Sequence, residues 1–533
     1  MSRPQTDVFG SDEAPSKLIA RNVAGRYAAL LVDAAIGLVL LPFNVSHLGA
    51  AAYGVWLLAS SVTIHFSVLD LGFGGAFVRF VARYRARRDA HGLNEIASTL
   101  FFVYTGAGVV AYVIAAVVAF NLGALFRITP EQAEVGRWLL LIIGVQVALN
   151  FPCSVFGGVV NGFQRYNINS GVSIASSVAV AAVNVVILTA GYGLIPLVLA
   201  TTAVRIATYF VYWRNARRIY PALHLSPSLF RRHRLRELMG FSVYSLLIDV
   251  GYRLNYQVDQ LVIASFLGVT PVAIWAPASR IVTAAQQLTN QLNAVLFPAV
   301  VDSDAVARGD RLRRIFLHGT RLSLAMVLPI GVTLIALADP LIHAWIGSRV
   351  SEMQGSVPVL KILSIAIMIR VGAGTATTLL KGGGMHRLMA TTSIATGVAN
   401  VVVSIALVRP LGLIGVALGT LIPVACTTFF VVYPAACRRV EMPLRTLAGT
   451  AIWPALWPAL ALGGLFYALP LSNLPRTLTM VALQSMLGGL FYLVLFGGIA
   501  IGRRDREMYT SVVAHLLHRP AFARFASFGA AGS

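Results

Sequence analysis

Apolar runs of about twenty residues recur along almost the whole chain, separated by short connections rich in arginine. A helix of that length crosses the hydrocarbon core of a bilayer, where each backbone N–H and C=O must be paired within its own segment. Spans are expected near 24–44, 54–76, 97–121, 137–160, 169–190, 194–213, 240–266, 272–298, 318–345, 357–379, 388–408, 412–434, 448–469 and 478–501. The fold class that follows is an all-α polytopic membrane protein with about fourteen transmembrane helices. Composition agrees, because only 12% of the residues are charged, about half the usual share in soluble domains.

Arginine placement sets the orientation. The clusters within 79–88, 214–236, 308–321, 438–445 and 503–524 fall on one side, and the other side holds only Arg127, Arg137, Arg349, Arg409 and Arg476. The positive-inside rule then predicts that both termini are cytoplasmic. The net charge of +22 is spread between apolar segments, so it does not form the single patch of a nucleic-acid binder. The polar stretch Met1–Lys17 lacks the order of a signal peptide. Cys153, Cys426 and Cys437 have neither disulfide nor metal-ligand spacing, so no cofactor and no metal are expected. The 214–239 connection interleaves Leu223, Leu225, Leu229, Phe230 and Leu235 with arginines, which predicts an interfacial helix on the cytoplasmic surface. The tail at Tyr509–Leu517 reads the same way.

The chain also repeats itself. His47-Leu48-Gly49 followed by Tyr53-Gly54-Val55-Trp56 matches Phe266-Leu267-Gly268 followed by Val272-Ala273-Ile274-Trp275 at a shift of 219 residues. Gly193-Leu194-Ile195 with Leu199 and Thr201 matches Gly412-Leu413-Ile414 with Leu418 and Thr420 at the same shift. The expected organisation is a polar N-terminus (1–17), an N-lobe of six spans (18–213), a basic connector (214–239), a C-lobe of six spans (240–434), a terminal pair of spans (435–502) and a cytoplasmic tail (503–533). Repeats of this kind place a substrate site near the bilayer midplane.

The residues that carry these features resemble the polysaccharide biosynthesis (Wzx-type) flippases. They include Leu18-Ile19-Ala20-Arg21-Asn22, Leu41-Pro42-Phe43, the His47–Trp56 stretch, and Leu69-Asp70-Leu71-Gly72-Phe73-Gly74 with Arg79 and Tyr84–Arg87. In the second lobe Asp259-Gln260-Leu261-Val262-Ile263 and the Ala278–Pro298 stretch are similar. The resemblance implies two six-helix lobes, a central cavity opening alternately to each side, and a place in the superfamily of multidrug extruders and the lipid II flippase. It implies a polyprenyl-diphosphate-linked oligosaccharide as cargo, membrane lipids as surroundings, and a glycan polymerase and chain-length regulator as partners in a bacterial cytoplasmic membrane. The glycan would be an O-antigen, capsule or exopolysaccharide repeat unit.

A charge at mid-bilayer costs about 2.5–3.5 kcal/mol on insertion scales, so such residues face an interior or a watery cavity. In span seven, Asp249, Arg253, Tyr256 and Gln260 are spaced to share one helix face, with Asp259 on an adjoining face. Span eight carries Arg280, Thr283, Gln287 and Gln291, with Gln286 beside them. Arg26 and Asp33 share a face of span one, Arg205 lies in span six, and Lys361 and Arg370 lie in span ten. Forked guanidinium donors suit a diphosphate, and amides suit sugars. The expected cavity residues are therefore Arg26, Arg205, Arg253, Arg280, Arg370, Tyr256, Gln260, Gln287 and Gln291, with Asp33, Asp249 or Asp259 balancing charge or responding to protons or sodium. Bland readings stand beside these. Arg26 and Arg79 reach the interface by snorkelling, Asp249 with Arg253 reads as a structural pair, and the Gln/Asn run reads as interhelical glue. Asp70 before Gly72 reads as a helix break, and His65 as a satisfied interior histidine.

No phosphate-binding Gly-rich loop is present, and no outward connection is long enough to fold as a catalytic domain. A transporter, not an enzyme, is expected. The alternatives are a cation-coupled exporter, which needs an acidic cavity, and a membrane polymerase or ligase.

Overall fold

The computed structural model describes residues 15–305, 309–347, 350–469 and 475–502, and within them all regular structure is helical. The chain enters α1 (Pro15–His65) and passes through a 3-10 turn (Phe66–Asp70) to α2 (Phe73–Ala86), α3 (Ala90–Phe120), α4 (Leu122–Leu125), α5 (Pro130–Gly162), α6 (Tyr166–Thr189) and α7 (Leu194–Ile219). A connector leads to α8 (Arg232–Tyr256), α9 (Asp259–Phe266), α10 (Val269–Ala305), α11 (Gly309–Ala336), α12 (Ala338–Ile346) and α13 (Val350–Met353). The remainder is α14 (Ser356–Gly372), α15 (Gly374–Gly382), α16 (His386–Leu411), α17 (Leu413–Thr427), α18 (Tyr433–Arg439), α19 (Leu444–Leu447), α20 (Trp453–Ala468) and α21 (Leu478–Leu495).

Eleven segments of the described residues are long and apolar enough to cross a membrane. The first, Ala24–Asp70, contains the expected span 24–44 and residues 54–70 of the expected span 54–76. A straight helix of α1's length would be roughly 77 Å long, far more than a bilayer needs. Gly49, at φ 79° and ψ 163°, breaks it where a side chain would be strained. Gly268, at the repeat shift, separates α9 from α10 at φ 96°. The expected spans 240–266 and 272–298 fall on α8–α9 and α10, which hold the intramembrane charges and amides and are not among the eleven.

Helix bounds recur at the same shift. The α3 range corresponds to α11, α5 to the α13–α15 stretch, α6 to α16, and α7 to α17–α18, each within a few residues. Local signals set several starts. Asp89 accepts from Gly92 N at 2.8 Å to cap α3, and Thr129 with Gln132 forms a capping box at α5 ahead of Pro130. Asp70 ends its turn beside Leu71 and Gly72, both at positive φ, and its carboxylate accepts from Tyr104 Oη. That is the helix break read from the sequence. His65 Nδ1 lies 2.6 Å from the Ser61 carbonyl.

The described helices form two compact units. The first contains Ala59–Leu246 and the start of α1 up to Leu40. Small residues bring its backbones together, with Gly108 against the Ala148 carbonyl and Gly144 against Ala115 and Tyr112. Phe77 and Val81 of α2 pack onto Gly158 and Gly162 of α5. The second unit contains Leu41–Leu58 and the described residues from Leu247 to 502. Gly54 sits directly on the Val269 carbonyl, and Tyr53 is buried. One core gathers Leu312, Phe316, Leu379, Leu380 and Tyr433, and another gathers Leu324, Leu328, Ala459, Leu462 and Tyr492. Arg321 binds the Thr450 carbonyl through Nε at 2.9 Å and Nη2 at 2.6 Å, which ties α11 to the turns before α20.

The connector differs from the interfacial helix expected. It runs irregularly from Tyr220 to Arg231, apart from a 3-10 turn at Pro227–Leu229, and docks on the start of α3. Asn94 donates to the Ala222 carbonyl and accepts from His224 N, Ser98 accepts from Ser226 N, and Thr99 accepts from Arg231 N. Glu95 pairs with Arg231 at 3.2 Å and Arg234 at 3.0 Å. These four α3 residues share one face, so they satisfy a backbone that would otherwise take its partners from water. The tail at 509–517 lies outside the described residues.

Candidate functional site

The second unit has an open cavity of about 390 Å³, within the range of about 300–1,000 Å³ typical of small-molecule sites. One wall is a stripe on α14–α15, formed by Arg370, Gly374, Thr377, Thr378 and Lys381 at intervals that keep one helix face. The helix pair breaks at Ala373, between Gly372 and Gly374, without changing that face. The opposite walls bring Asn255 from α8, Thr392, Ser393 and Thr396 from α16, and Thr427 and Thr428. Glycines let α8 and α16 approach this closely, because Gly251 meets Ser393 and Gly397 meets Leu254 and the Gly251 carbonyl.

The hydroxyls have a defined polarity. Thr377 donates to the Ala373 carbonyl at 3.0 Å, Thr396 to Thr392 at 2.7 Å, Thr427 to Pro423 at 2.8 Å, and Ser393 to Ile248 at 3.1 Å. Each oxygen keeps a lone pair for an incoming donor. Arg370 and Lys381 supply positive charge, and among the described lining residues no side chain is acidic. The wall therefore offers acceptors for ligand hydroxyls and cations for ligand anions.

A smaller chamber of about 60 Å³ adjoins it, lined by Asp259, Trp275, Ser279, Thr283 and Thr420 among others. Arg370 and Gln286 line both spaces. Asp259 is 4% exposed, and its Oδ2 accepts from Thr420 Oγ1 at 3.2 Å. Asn400 donates through Nδ2 to Thr420 Oγ1 at 3.1 Å and to the Asn255 carbonyl at 3.2 Å. Among the described residues, the side-chain oxygens Asp259 Oδ1, Asn400 Oδ1, Asn255 Oδ1 and Ser404 Oγ have no hydrogen-bond partner. Buried oxygens in that state are costly unless a ligand or water meets them.

The expected residues distribute unevenly. Arg370 and Asp259 line the two spaces. Arg280 is half-buried on α10, and Arg253 is half-buried on α8 with Nη1 3.3 Å from Gln257 Oε1. The continuous face expected from Asp249 to Gln260 is interrupted, because α8 ends at Tyr256 and α9 begins at Asp259. After that break Asp259 is buried and Gln260 only half-buried. On α10 the inward amide is Gln286, whereas Gln287 is exposed. The side chains of Asp249, Tyr256 and Gln291 lie outside the described ones. Arg26, Asp33 and Arg205 are exposed residues of the first unit, and Asp33 accepts from Ser177 Oγ at 3.3 Å. Lys361 is exposed, whereas Lys381, which the sequence reading passed over, lines the cavity. It falls two residues beyond the expected span 357–379, where a lysine reads as an interface anchor. Its place on the Arg370 stripe was the available signal.

The fold has solved counterparts. A structure titled lipid II flippase MurJ in an inward closed conformation superposes with a TM-score of 0.69 at 14% identity, covering 92% of this chain and 99% of that one. An inward-facing MATE multidrug transporter of the MOP superfamily gives 0.63 at 18% identity over 78% and 94%. Among curated proteins, the membrane protein MJ1068 of Methanocaldococcus jannaschii is 20% identical over 80% of this chain and 83% of its own length. The teichuronic acid biosynthesis protein TuaB of Bacillus subtilis is 22% identical over 57% of this chain and 58% of its own length. Residues 48–355, more than half of the chain, match the polysaccharide biosynthesis protein family, and this multi-pass membrane protein belongs to that family.

Proposed function

We propose that the protein is a flippase that carries a polyprenyl-diphosphate-linked oligosaccharide across the bacterial cytoplasmic membrane by alternating access, with both termini cytoplasmic, and that it does no covalent chemistry. One observation carries the reading: the 390 Å³ cavity of the second unit is cationic and hydroxyl-lined within otherwise apolar helices. An anion bearing many hydroxyls matches it, and a cationic drug does not. Family membership and the fold shared with a protein titled a lipid II flippase support the same reading.

Arginine forks at Arg370, Arg280 and Arg253 would hold the diphosphate. Gln286 and the threonine hydroxyls would meet sugar rings. Asp259 is the best of the three carboxylates for ion coupling, because it is buried beside a small chamber and its Oδ1 has no hydrogen-bond partner among the described residues. Asp33, exposed and bonded to Ser177, would balance charge.

The test is leaflet exchange of a fluorescent polyprenyl-diphosphate glycan in proteoliposomes. The wild type should move the lipid, and Arg253→Ala, Arg280→Ala and Arg370→Ala combined should abolish movement. Unchanged movement in the triple variant refutes the cavity assignment, and export of cationic dyes without lipid movement favours the exporter.

A further inference from the structure

The connector arginines of the first unit are held in different ways. Arg234 is largely buried, with its guanidinium on Glu95, Tyr84 and Glu237. Arg231 gives Glu95 only its Nε, at 3.2 Å, and its backbone N–H goes to Thr99 Oγ1 at 3.0 Å. Its side chain is 47% exposed, and among the described residues its two Nη groups have no partner. The guanidinium is thus held at Nε while its Nη fork stays available to an oxyanion. Arg232 and Arg236 are exposed one turn apart at the start of α8, with no ion pair among the described residues. Like charges at that spacing repel each other, so an anion from outside the chain stabilises the group. The level of the patch says which anion. Ser98 and Thr99, which accept from the connector, lie in the first turn of the expected span 97–121, and Arg236 precedes the expected span 240–266 by four residues. Both spans place the patch where helices leave the hydrocarbon, at the depth of phospholipid headgroups. An arginine fork matches a phosphodiester there, and a lipid with no headgroup cation leaves that charge uncompensated.

We infer that Arg231, with Arg232 and Arg236, forms a binding surface for the headgroup of an anionic phospholipid on the arginine-rich side of the membrane, and that Glu95 positions the Arg231 fork. The surface belongs to the first unit, contributes nothing to the cavity lining described above, and holds whether or not the chain is a flippase.

The experiment uses full-length protein with a photo-crosslinking residue at the exposed position of His233. It is reconstituted in liposomes of one carrier composition holding a trace of either radiolabelled phosphatidylglycerol or radiolabelled phosphatidylcholine. The otherwise native chain should capture phosphatidylglycerol about fivefold more, the effect of about 1 kcal/mol from one arginine near a membrane surface. Arg231→Lys keeps the charge and loses the fork, so it should lower that ratio to below about twofold. Arg232→Gln with Arg236→Gln, two exposed residues outside the fold's ion pairs, should lower it as well. Glu95→Ala makes the chain one charge more positive, yet it should lower the ratio because Arg231 loses its support. A native ratio near one overturns the surface. A ratio unaltered in Arg231→Lys, or raised in Glu95→Ala, overturns the positioned fork and leaves only a general attraction of lipid to positive charge. A ratio unaltered in the double glutamine variant overturns the part given to Arg232 and Arg236.

Discussion

The two repeats share a backbone plan and diverge along one stripe. At the 219-residue shift, Arg370 corresponds to Phe151, Thr377 to Gly158, Thr378 to Val159 and Lys381 to Gly162. In the first unit this stripe is packed shut, because Phe77 lies 2.6 Å from where a Gly158 side chain would begin and Val81 closes on Gly162. In the second unit the same stripe lines an open polar cavity. The buried acid follows suit, since Asp259 corresponds to Leu40 and Asn400 to Ala181. Thr420 and its counterpart Thr201 are both buried, yet Thr201 donates to carbonyls of its own helix whereas Thr420 donates to Asp259 and accepts from Asn400. The same stripe is packed in one copy and lines a cavity in the other, and side-chain size on α5 versus α14–α15 accompanies the difference.

The strongest way to break this comparison is Gly162→Lys, which places the second unit's residue in the first. An ammonium there meets Val81 in a packed interior without a partner, and both overpacking and unpaired burial are costly. The variant should lose about 3 kcal/mol or more, read as failure to purify or a large drop in melting temperature in detergent. Near-wild-type stability would show that the first unit has an equivalent opening. A smaller effect sharpens the comparison. Thr420→Val should cost about 1–3 kcal/mol, because a buried carboxylate loses a donor, whereas Thr201→Val forfeits only a self-bond within its helix and should cost less than about 0.5 kcal/mol. Equal costs would mean that the Asp259 network adds nothing.

The fold was largely legible because its signals are long and redundant. Apolar runs, alternating arginine and two matches at one shift each draw on many residues. The site was less legible because its signals are single side chains. Arg370 showed itself as a cation deep in an apolar run, and Asp259 as an acid in another. Thr420 and Asn400 did not, since a hydroxyl or amide in a membrane helix reads as ordinary helix contact until three helices are seen to converge. The break at Gln257–Val258, which turns Asp259 inward, has neither glycine nor proline to announce it. Arg205 illustrates the converse, a deep cation by sequence that is exposed on the first unit.

The most direct measurement replaces Thr378 and, separately, Val159 with a photo-crosslinking residue and irradiates each reconstituted protein with a radiolabelled polyprenyl-diphosphate glycan. The account predicts glycan capture at position 378, competed away by unlabelled glycan lipid, and none above background at position 159. Capture at 159 with none at 378, or capture at neither while the lipid still crosses the membrane, would contradict it.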